Sequence, residues 1–321
     1  MAHFGGEAGA ALVFLIAYAA LFFWMLYAYQ THKIKWKSRW SLVFFHVTVR
    51  VASQGCGLAF GIHGFENTDV FLAYLILGAE GYFTLVLCTF RFLVSWQERN
   101  LPSGESWLEP RRKASEKHKK LKLIASILLG PLALVVFARN FMAIVHFMLV
   151  LANAAIITGG SYLAGADYTD FDSPETQNRL NIAKIARTSG QSVFLACNVA
   201  MGVAIAKQMW DCRRDSREKK IHPTLIILGI AWFPLIVRGI FGVLQSAVWD
   251  LSYYNPGNYQ STGFTPRFVA IEYVLGVLTE WLACVLLNLT WFTSRNDPAR
   301  RKPEELEQEA ELRKLHHHEN A

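Results

Sequence analysis

The sequence predicts an all-α, polytopic membrane protein built as a bundle of seven transmembrane helices. First, apolar residues make up 53% of the 321-residue chain. They are concentrated in runs of about 20 residues or more, the length that a helix needs to cross a bilayer. Second, the segments between these runs alternate between basic and neutral or acidic. No hydrophilic stretch is long enough for a separate soluble domain, so we expect one membrane domain.

The seven predicted spans are 9–29, 40–61, 70–94, 140–163, 182–206, 223–249 and 268–292. They leave a short N-terminal segment, 1–8, and a charged C-terminal tail, 293–321. The first span is followed by basic residues and lacks a small-residue cleavage site. We therefore interpret it as a retained helix and not as a signal peptide.

The distribution of lysine and arginine predicts the orientation of the bundle. These residues are concentrated in segments 32–39, 97–122 and 207–222 and at the start of the tail. The other connections, 62–69, 164–181 and 250–267, are neutral or acidic. Because an excess of positive charge marks cytoplasmic loops, we expect the N-terminus outside and the C-terminus in the cytosol.

A further apolar stretch, 123–138, precedes the fourth span and does not fit this count. At about 16 residues it is short for a crossing. An eighth helix here would also invert every later loop against the charge rule. We interpret the stretch as an interfacial or re-entrant segment broken at Gly130 and Pro131, or as a cytosolic extension of the fourth helix.

Four charged residues, Arg50, Glu80, Arg238 and Glu280, lie near the midpoints of four spans. A charge at that depth costs roughly 2.5–3.5 kcal/mol on insertion scales, so it usually has a partner or a function. Arg50 could pair with Glu80 and Arg238 with Glu280, or Arg50 could pair with Glu280. The layer would then be a structural network, a ligand pocket or an ion path, and these roles are compatible.

Other polar residues share the inward faces and the depth of this layer, which predicts a hydrated or hydrogen-bonded centre. These candidate pocket residues are His46, Gln54, Asn153, Gln191, Asn198 and Gln245. Glu272 lies about two helical turns nearer the outside than Glu280, with only Arg267 as an obvious cation at its depth. It is therefore the better candidate for a group that meets a solute.

The sequence favours no enzymatic reaction, metal or cofactor. A retinal-binding rhodopsin needs a lysine in its last helix, and none occurs between Lys220 and Lys302. The intramembrane histidines, His46 and His146, stand singly without a nearby aspartate, and the five cysteines have no metal-ligand spacing. Motifs of nucleotide-binding proteins, serine hydrolases and rhodopsin-type receptors are also missing from the sequence.

The net charge of +7 does not indicate a nucleic-acid partner, because the basic residues follow the topology of the bundle. We expect the lipid bilayer as the main partner, with anionic lipid headgroups at the basic cytosolic loops. The outer loop 250–267 is rich in Tyr, Asn, Gly and Pro. It could cap a pocket, or its tyrosines could anchor it at the membrane interface.

Several motifs occur in the order Trp40, Arg50, Gly159-Gly160-Ser161, the run from Trp232 to Arg238, and Glu272 with Glu280. With them, residues 40–292 resemble a family of fungal seven-helix membrane proteins defined as a domain of unknown function. The resemblance implies the fold and the topology, and it brings no assigned chemistry or site residues. The 123–138 stretch and the basic loop before it depart from the family pattern.

These observations predict a receptor-like or sensor-like protein with a polar intramembrane pocket that takes a small molecule or a lipid. The alternative is a transporter or lipid-handling protein that uses the charged layer as a path for a solute or for protons. A pocket open to the outside and closed toward the cytosol would favour a receptor. Continuous hydration across the layer would favour transport. The plasma membrane and an endomembrane both fit the span lengths.

Overall fold

The structure of the protein is a computed structural model that describes residues 4–64, 68–110, 140–164, 173–215, 220–253, 255–260, 263–295 and 297–298. Within the helices, the side chains of Thr68, Ala79, Glu80, Leu163, Ala164 and Asp215 lie outside this description. The apolar stretch 123–138 and the tail beyond residue 298 also lie outside the described residues, so their predicted roles stay predictions.

Seven helices in the described part of the chain are long and apolar enough to cross a membrane. They are α1 (Gly6–Gln30), α2 (Trp40–His63), α3 (Thr68–Asn100), α4 (Phe141–Ala164), α5 (Pro174–Asp215), α6 (Pro223–Ala247) and α7 (Pro266–Thr293). This confirms the predicted all-α, seven-helix fold and indicates an integral membrane protein. We call the end of the bundle where α1 begins the N-terminal face, and the end where α7 finishes the C-terminal face.

Several helix ends follow from local sequence. α6 and α7 each begin with proline at the first helical position, where its missing N–H costs nothing. The preceding side chains cap them, since His222 accepts from Thr224 N–H and Thr265 accepts from Phe268 N–H. α2 ends at His63 and is followed by Gly64, whose φ of 60° favours glycine.

The helices α3 and α5 extend beyond the apolar spans that predicted them. α5 begins at Pro174, where Ser173 Oγ accepts from Thr176 N–H at 3.3 Å, and it continues past the apolar run to Asp215. Apolar patterning marks the part of a helix that lies in lipid, whereas the helix itself ends where capping or a break in the chain stops it.

Consecutive helices are neighbours, α7 packs back against α1, and α3 also contacts α5, α6 and α7. α3 is therefore the central helix, and its second half is buried on nearly all sides. α7 changes its winding at Glu272–Val277, which is π-helical between two α-helical parts. Such π segments frequently occur at functional sites.

The α6–α7 connection packs over the N-terminal face. It contains a two-stranded antiparallel hairpin, β1 (Tyr259–Gln260) and β2 (Gly263–Phe264). The Phe264 ring meets Phe60 of α2 at 5.4 Å and Phe268 of α7 at 5.0 Å. Its N–H donates to the buried Glu7 carboxylate of α1 at 3.5 Å. These contacts fix the connection to three helices.

Candidate functional site

The centre of the bundle is organised around Glu280 of α7, whose side chain is fully buried. Arg238 Nε of α6 donates to one carboxylate oxygen at 2.7 Å, and Arg50 Nη2 of α2 donates to the other. The structure thus forms two pairs considered from the sequence, Arg238 with Glu280 and Arg50 with Glu280. The Glu80 side chain lies outside the described residues, so the Arg50–Glu80 pair stays a prediction.

Gly81 of α3 makes room for Arg50. A Cβ atom at Gly81 would overlap the Arg50 guanidinium, whereas one at Gly78 would lie an ordinary 4.0 Å from Arg50 Nη1. The guanidinium therefore lies directly against the α3 backbone at Gly81. Only glycine allows this approach, and α2 and α3 are held together at the level of the charges.

Arg238 lies among aromatic and amide groups. Its guanidinium carbon is 5.2 Å from the centroid of the Tyr82 ring, a distance at which cation–π attraction operates. The Tyr82 hydroxyl accepts from Asn198 Nδ2 at 2.9 Å and donates to the backbone carbonyl of Leu235 at 3.3 Å. These contacts connect α3, α5 and α6 around the Arg238 side chain.

Two buried polar atoms near Gly242 have no hydrogen-bond partner within the described part of the chain. They are Arg238 Nη1, a donor, and Gln191 Oε1, an acceptor. Both lie close to the point where a Cβ at Gly242 would stand. Arg238 is 5% and Gln191 is 3% exposed, and buried polar atoms normally have partners, so these two are candidate ligand contacts.

Glu272 lies in the π-helical part of α7 and is held by neutral groups. Gln245 Nε2 of α6 donates to its carboxylate, and the Tyr253 hydroxyl of the α6–α7 connection is also within hydrogen-bonding range. Burial and the adjacent Glu272 carboxylate raise the pKa of Tyr253 well above its usual value, so the phenol stays protonated. Glu272 forms no ion pair with any residue that the structure describes.

These groups enclose a cavity of about 30 Å³, enough for one or two water molecules. It extends from Tyr253 beneath the N-terminal face to Arg50 and Glu280 at the centre of the bundle. Its polar lining consists of Arg50, Tyr74, Arg187, Gln191, Arg238, Gln245, Tyr253, Glu272 and Glu280. We call this cavity the charged pocket.

Beyond Glu280, toward the C-terminal face, the interior is mainly apolar and closely packed. Fully buried side chains from four helices fill it, among them Val47, Leu85, Cys88, Ala231, Cys284 and Leu287. His46 lies on this side, and its Nδ1 is 2.7 Å from Thr84 Oγ1. Thr84 Oγ1 donates to the Gly81 carbonyl at 2.9 Å, so His46 donates from Nδ1. The charged pocket thus ends at the Arg–Glu layer.

The structure brings together six of the residues predicted from sequence in the lining of the pocket: Arg50, Arg238, Glu272, Glu280, Gln191 and Gln245. His46 and Asn198 lie beside the pocket, where they hydrogen-bond to Thr84 and Tyr82, respectively. Gln54 on α2 and Asn153 on α4 are buried but do not line it.

Sequence reasoning missed Arg187, Tyr253 and Tyr74. Arg187 is four residues before Gln191, so the helical spacing of α5 offered a signal for it. Its guanidinium lies 5.4 Å from the Tyr253 ring centroid. Tyr253 lies in an irregular connection, where no periodicity predicts the direction of a side chain. Tyr253 lies at the pocket end nearest this connection, and both roles considered for the connection, cap and interfacial anchor, stay predictions.

A second polar cluster lies at the C-terminal face, around Asp297. Its carboxylate accepts from Asn100 Nδ2 of α3 at 3.4 Å and lies 3.1 Å from His222 Nε2 at the start of α6. Burial opposes ionisation of Asp297, but the contact with His222, the hydrogen bond from Asn100 and the charge of Arg39 together outweigh it and lower the pKa below its usual value. Asp297 thus links the ends of three helices.

Within the described residues, no group of three or more His, Cys, Asp or Glu side chains is placed to hold a metal ion. No protein-family model matches the chain, and searches of curated proteins and of solved structures found no match. The charged pocket is therefore the main evidence for function.

Proposed function

We propose that this integral membrane protein is receptor-like or sensor-like and binds a small polar ligand in the charged pocket. The proposal includes the orientation that the basic loops predict, with the N-terminal face outside. A ligand would then reach the pocket from the outside, beneath the α6–α7 connection.

One observation carries this proposal: the pocket is closed at the Arg–Glu layer. Arg50 and Arg238 are both bound to Glu280, and the space beyond them holds fully buried apolar side chains such as Leu85 and Leu287. A ligand at Glu272 would change the environment of helices α5, α6 and α7, which all contribute to the lining. Differential contacts of this kind are what a ligand needs to shift a helix bundle between two states.

A transporter is the second candidate, because Glu272 and Glu280 both line the pocket from α7, Glu272 at the start of the π-helical segment and Glu280 beyond its end. Buried carboxylates in transmembrane helices often relay protons. This function would require a second arrangement of the helices in which the apolar region beyond Glu280 becomes hydrated.

Reconstitution into sealed liposomes that contain a pH-sensitive dye distinguishes the two functions. For a receptor-like protein we expect the imposed pH gradient to decay at the rate of protein-free liposomes. Proton flux that requires the protein and is lost in Glu272→Gln would overturn the proposal in favour of transport. The exposed carboxylate variant Glu175→Gln, on a residue that is 78% exposed, controls for the loss of one negative charge.

A further inference from the structure

We propose that the ligand of the charged pocket is an amphoteric small molecule, whose ammonium group binds Glu272 and whose carboxylate binds Arg238. This inference rests on the proposed function and names the class of ligand for the same site. It follows from the different ways in which the two carboxylates and the arginines of the pocket are already paired.

Both carboxylate oxygens of Glu280 already bind cations, whereas the Glu272 carboxylate can still accept one. Two guanidinium groups bind the Glu280 oxygens. Glu272 accepts a hydrogen bond from the uncharged amide of Gln245 and lies within hydrogen-bonding range of the Tyr253 hydroxyl, and it has no ion pair among the residues described. An ammonium group at Glu272 would gain a charge-assisted hydrogen bond that the protein itself does not supply. The Tyr74 side chain also lines the pocket, and aromatic rings favour a bound ammonium.

The opposite end of the pocket offers a donor for an anion. Arg238 uses Nε for Glu280, while its Nη1 is buried and has no partner among the described residues. A ligand carboxylate that accepts from Nη1 would complete its hydrogen bonding. Beside it, the buried Gln191 Oε1 lacks a donor from the described part of the chain, and a hydroxyl or ammonium of the ligand could supply one.

The two binding groups are close enough to share one small molecule. Glu272 and Arg238 line the same cavity and interact electrostatically. The cavity of about 30 Å³ holds only one or two water molecules, so binding of a molecule of amino-acid size requires the Tyr253 side chain to move outward. A ligand with a compact pair of opposite charges, of the size of an α-amino acid, suits this space better than an extended one.

Gly276 provides a variant that fills the pocket without disturbing the fold. A Cβ at this position would lie 3.4 Å from Glu272 Oε1 and 3.5 Å from Phe241, which are ordinary contacts. Gly276→Ala therefore places a methyl group beside the proposed ammonium position. The matched control is Gly55→Ala in α2, where nothing lies within 4 Å of the added Cβ.

The test is the melting temperature of the purified full-length protein in detergent, titrated with three sets of compounds at equal concentrations. Glycine, L-alanine and L-serine are amphoteric, acetate and propionate carry only the acid, and methylamine and ethylamine carry only the amine. We expect a saturable rise in melting temperature with at least one amphoteric compound and none with the other two sets. The half-saturating concentration should rise about 10- to 100-fold in Glu272→Gln, the loss expected for one charge-assisted hydrogen bond.

Gly276→Ala should remove the response while keeping the melting temperature of the unliganded protein, and Gly55→Ala should keep the response. If only the acids or only the amines stabilise the protein, and this effect is lost in Gly276→Ala, the inference of an amphoteric ligand is wrong but the proposed function still holds. Stabilisation by no compound overturns the inference. If the Gly276→Cys variant is then also inert to water-soluble thiol reagents, the proposed function fails as well.

Discussion

Replacing Glu280 with glutamine should destabilise the protein more than removing either arginine that binds it. The glutamine side chain would keep the size and one acceptor oxygen, but it would leave two buried guanidinium groups, at Arg50 and Arg238, without an anion. Breaking a buried ion pair by removing one partner costs about 3–5 kcal/mol. For a chain of this size each kcal/mol lowers the melting temperature by about 2 °C, so we expect a loss of about 6–10 °C.

Arg238→Gln leaves Glu280 bound to Arg50, so only one charged hydrogen bond is lost, about 1.5–3 kcal/mol. The double variant Glu280→Gln/Arg238→Gln should lose less stability than the sum of the two single variants, because both remove the same interaction. The melting temperatures of the two single variants and the double variant are measured by thermal unfolding in detergent, monitored through tryptophan fluorescence.

The control is Glu109→Gln. Glu109 pairs with Arg91 at 2.6 Å, but both side chains are substantially exposed, and a surface pair contributes about 0–1 kcal/mol. If Glu280→Gln lowers the melting temperature no more than this control does, or less than Arg238→Gln does, Glu280 is not the shared partner of two arginines.

Two further predictions concern the α2–α3 contact and the C-terminal face. Gly81→Ala should lower the melting temperature, because its Cβ would overlap the Arg50 guanidinium, whereas Gly78→Ala on the same helix should be neutral or stabilising; equal effects in the same unfolding assay would contradict the close approach at Gly81. Asp297→Asn should be less stable than wild type at neutral pH, because the Asp297 pKa is lowered in the folded protein. An acid with a lowered pKa stabilises the fold above its unfolded pKa and loses that contribution as the pH falls through the folded pKa. The difference in stability between Asp297→Asn and wild type, measured from about pH 7 down to about pH 3, should therefore shrink below about pH 4. A difference that grows below about pH 4 would contradict a lowered Asp297 pKa.

The fold was predictable from sequence because membrane helices are specified by average composition over about 20 residues. That average does not depend on which helix lies beside which, so the seven spans could be found without knowing the packing. The pairing of the buried charges cannot be predicted in this way. Whether Arg50 meets Glu80 or Glu280 depends on the rotation of α2 and α7 about their axes and on the close approach at Gly81, which hydropathy does not encode.

The candidate site was predictable only on helices with a clear polar stripe. Gln191 and Gln245 were found because they repeat at helical spacing with other polar residues. Tyr253 could not be found in this way, because its direction depends on the turns of the α6–α7 connection. The π-helical winding at Glu272–Val277 also has no sequence signal that we could use, although it sets the direction of Glu272 relative to Glu280.

We expect the charged pocket to be accessible to water from the N-terminal face and closed beyond Glu280. Native Cys284 and Cys88 lie on the closed side and are fully buried, while the other three cysteines are partly exposed and can be replaced by serine. In that background, a membrane-impermeant thiol reagent should leave the native pair unmodified from both faces and should label Gly276→Cys from the N-terminal face alone. Labelling of Cys284 from either face, or of Gly276→Cys from the C-terminal face, would show that the pocket is not closed beyond Glu280.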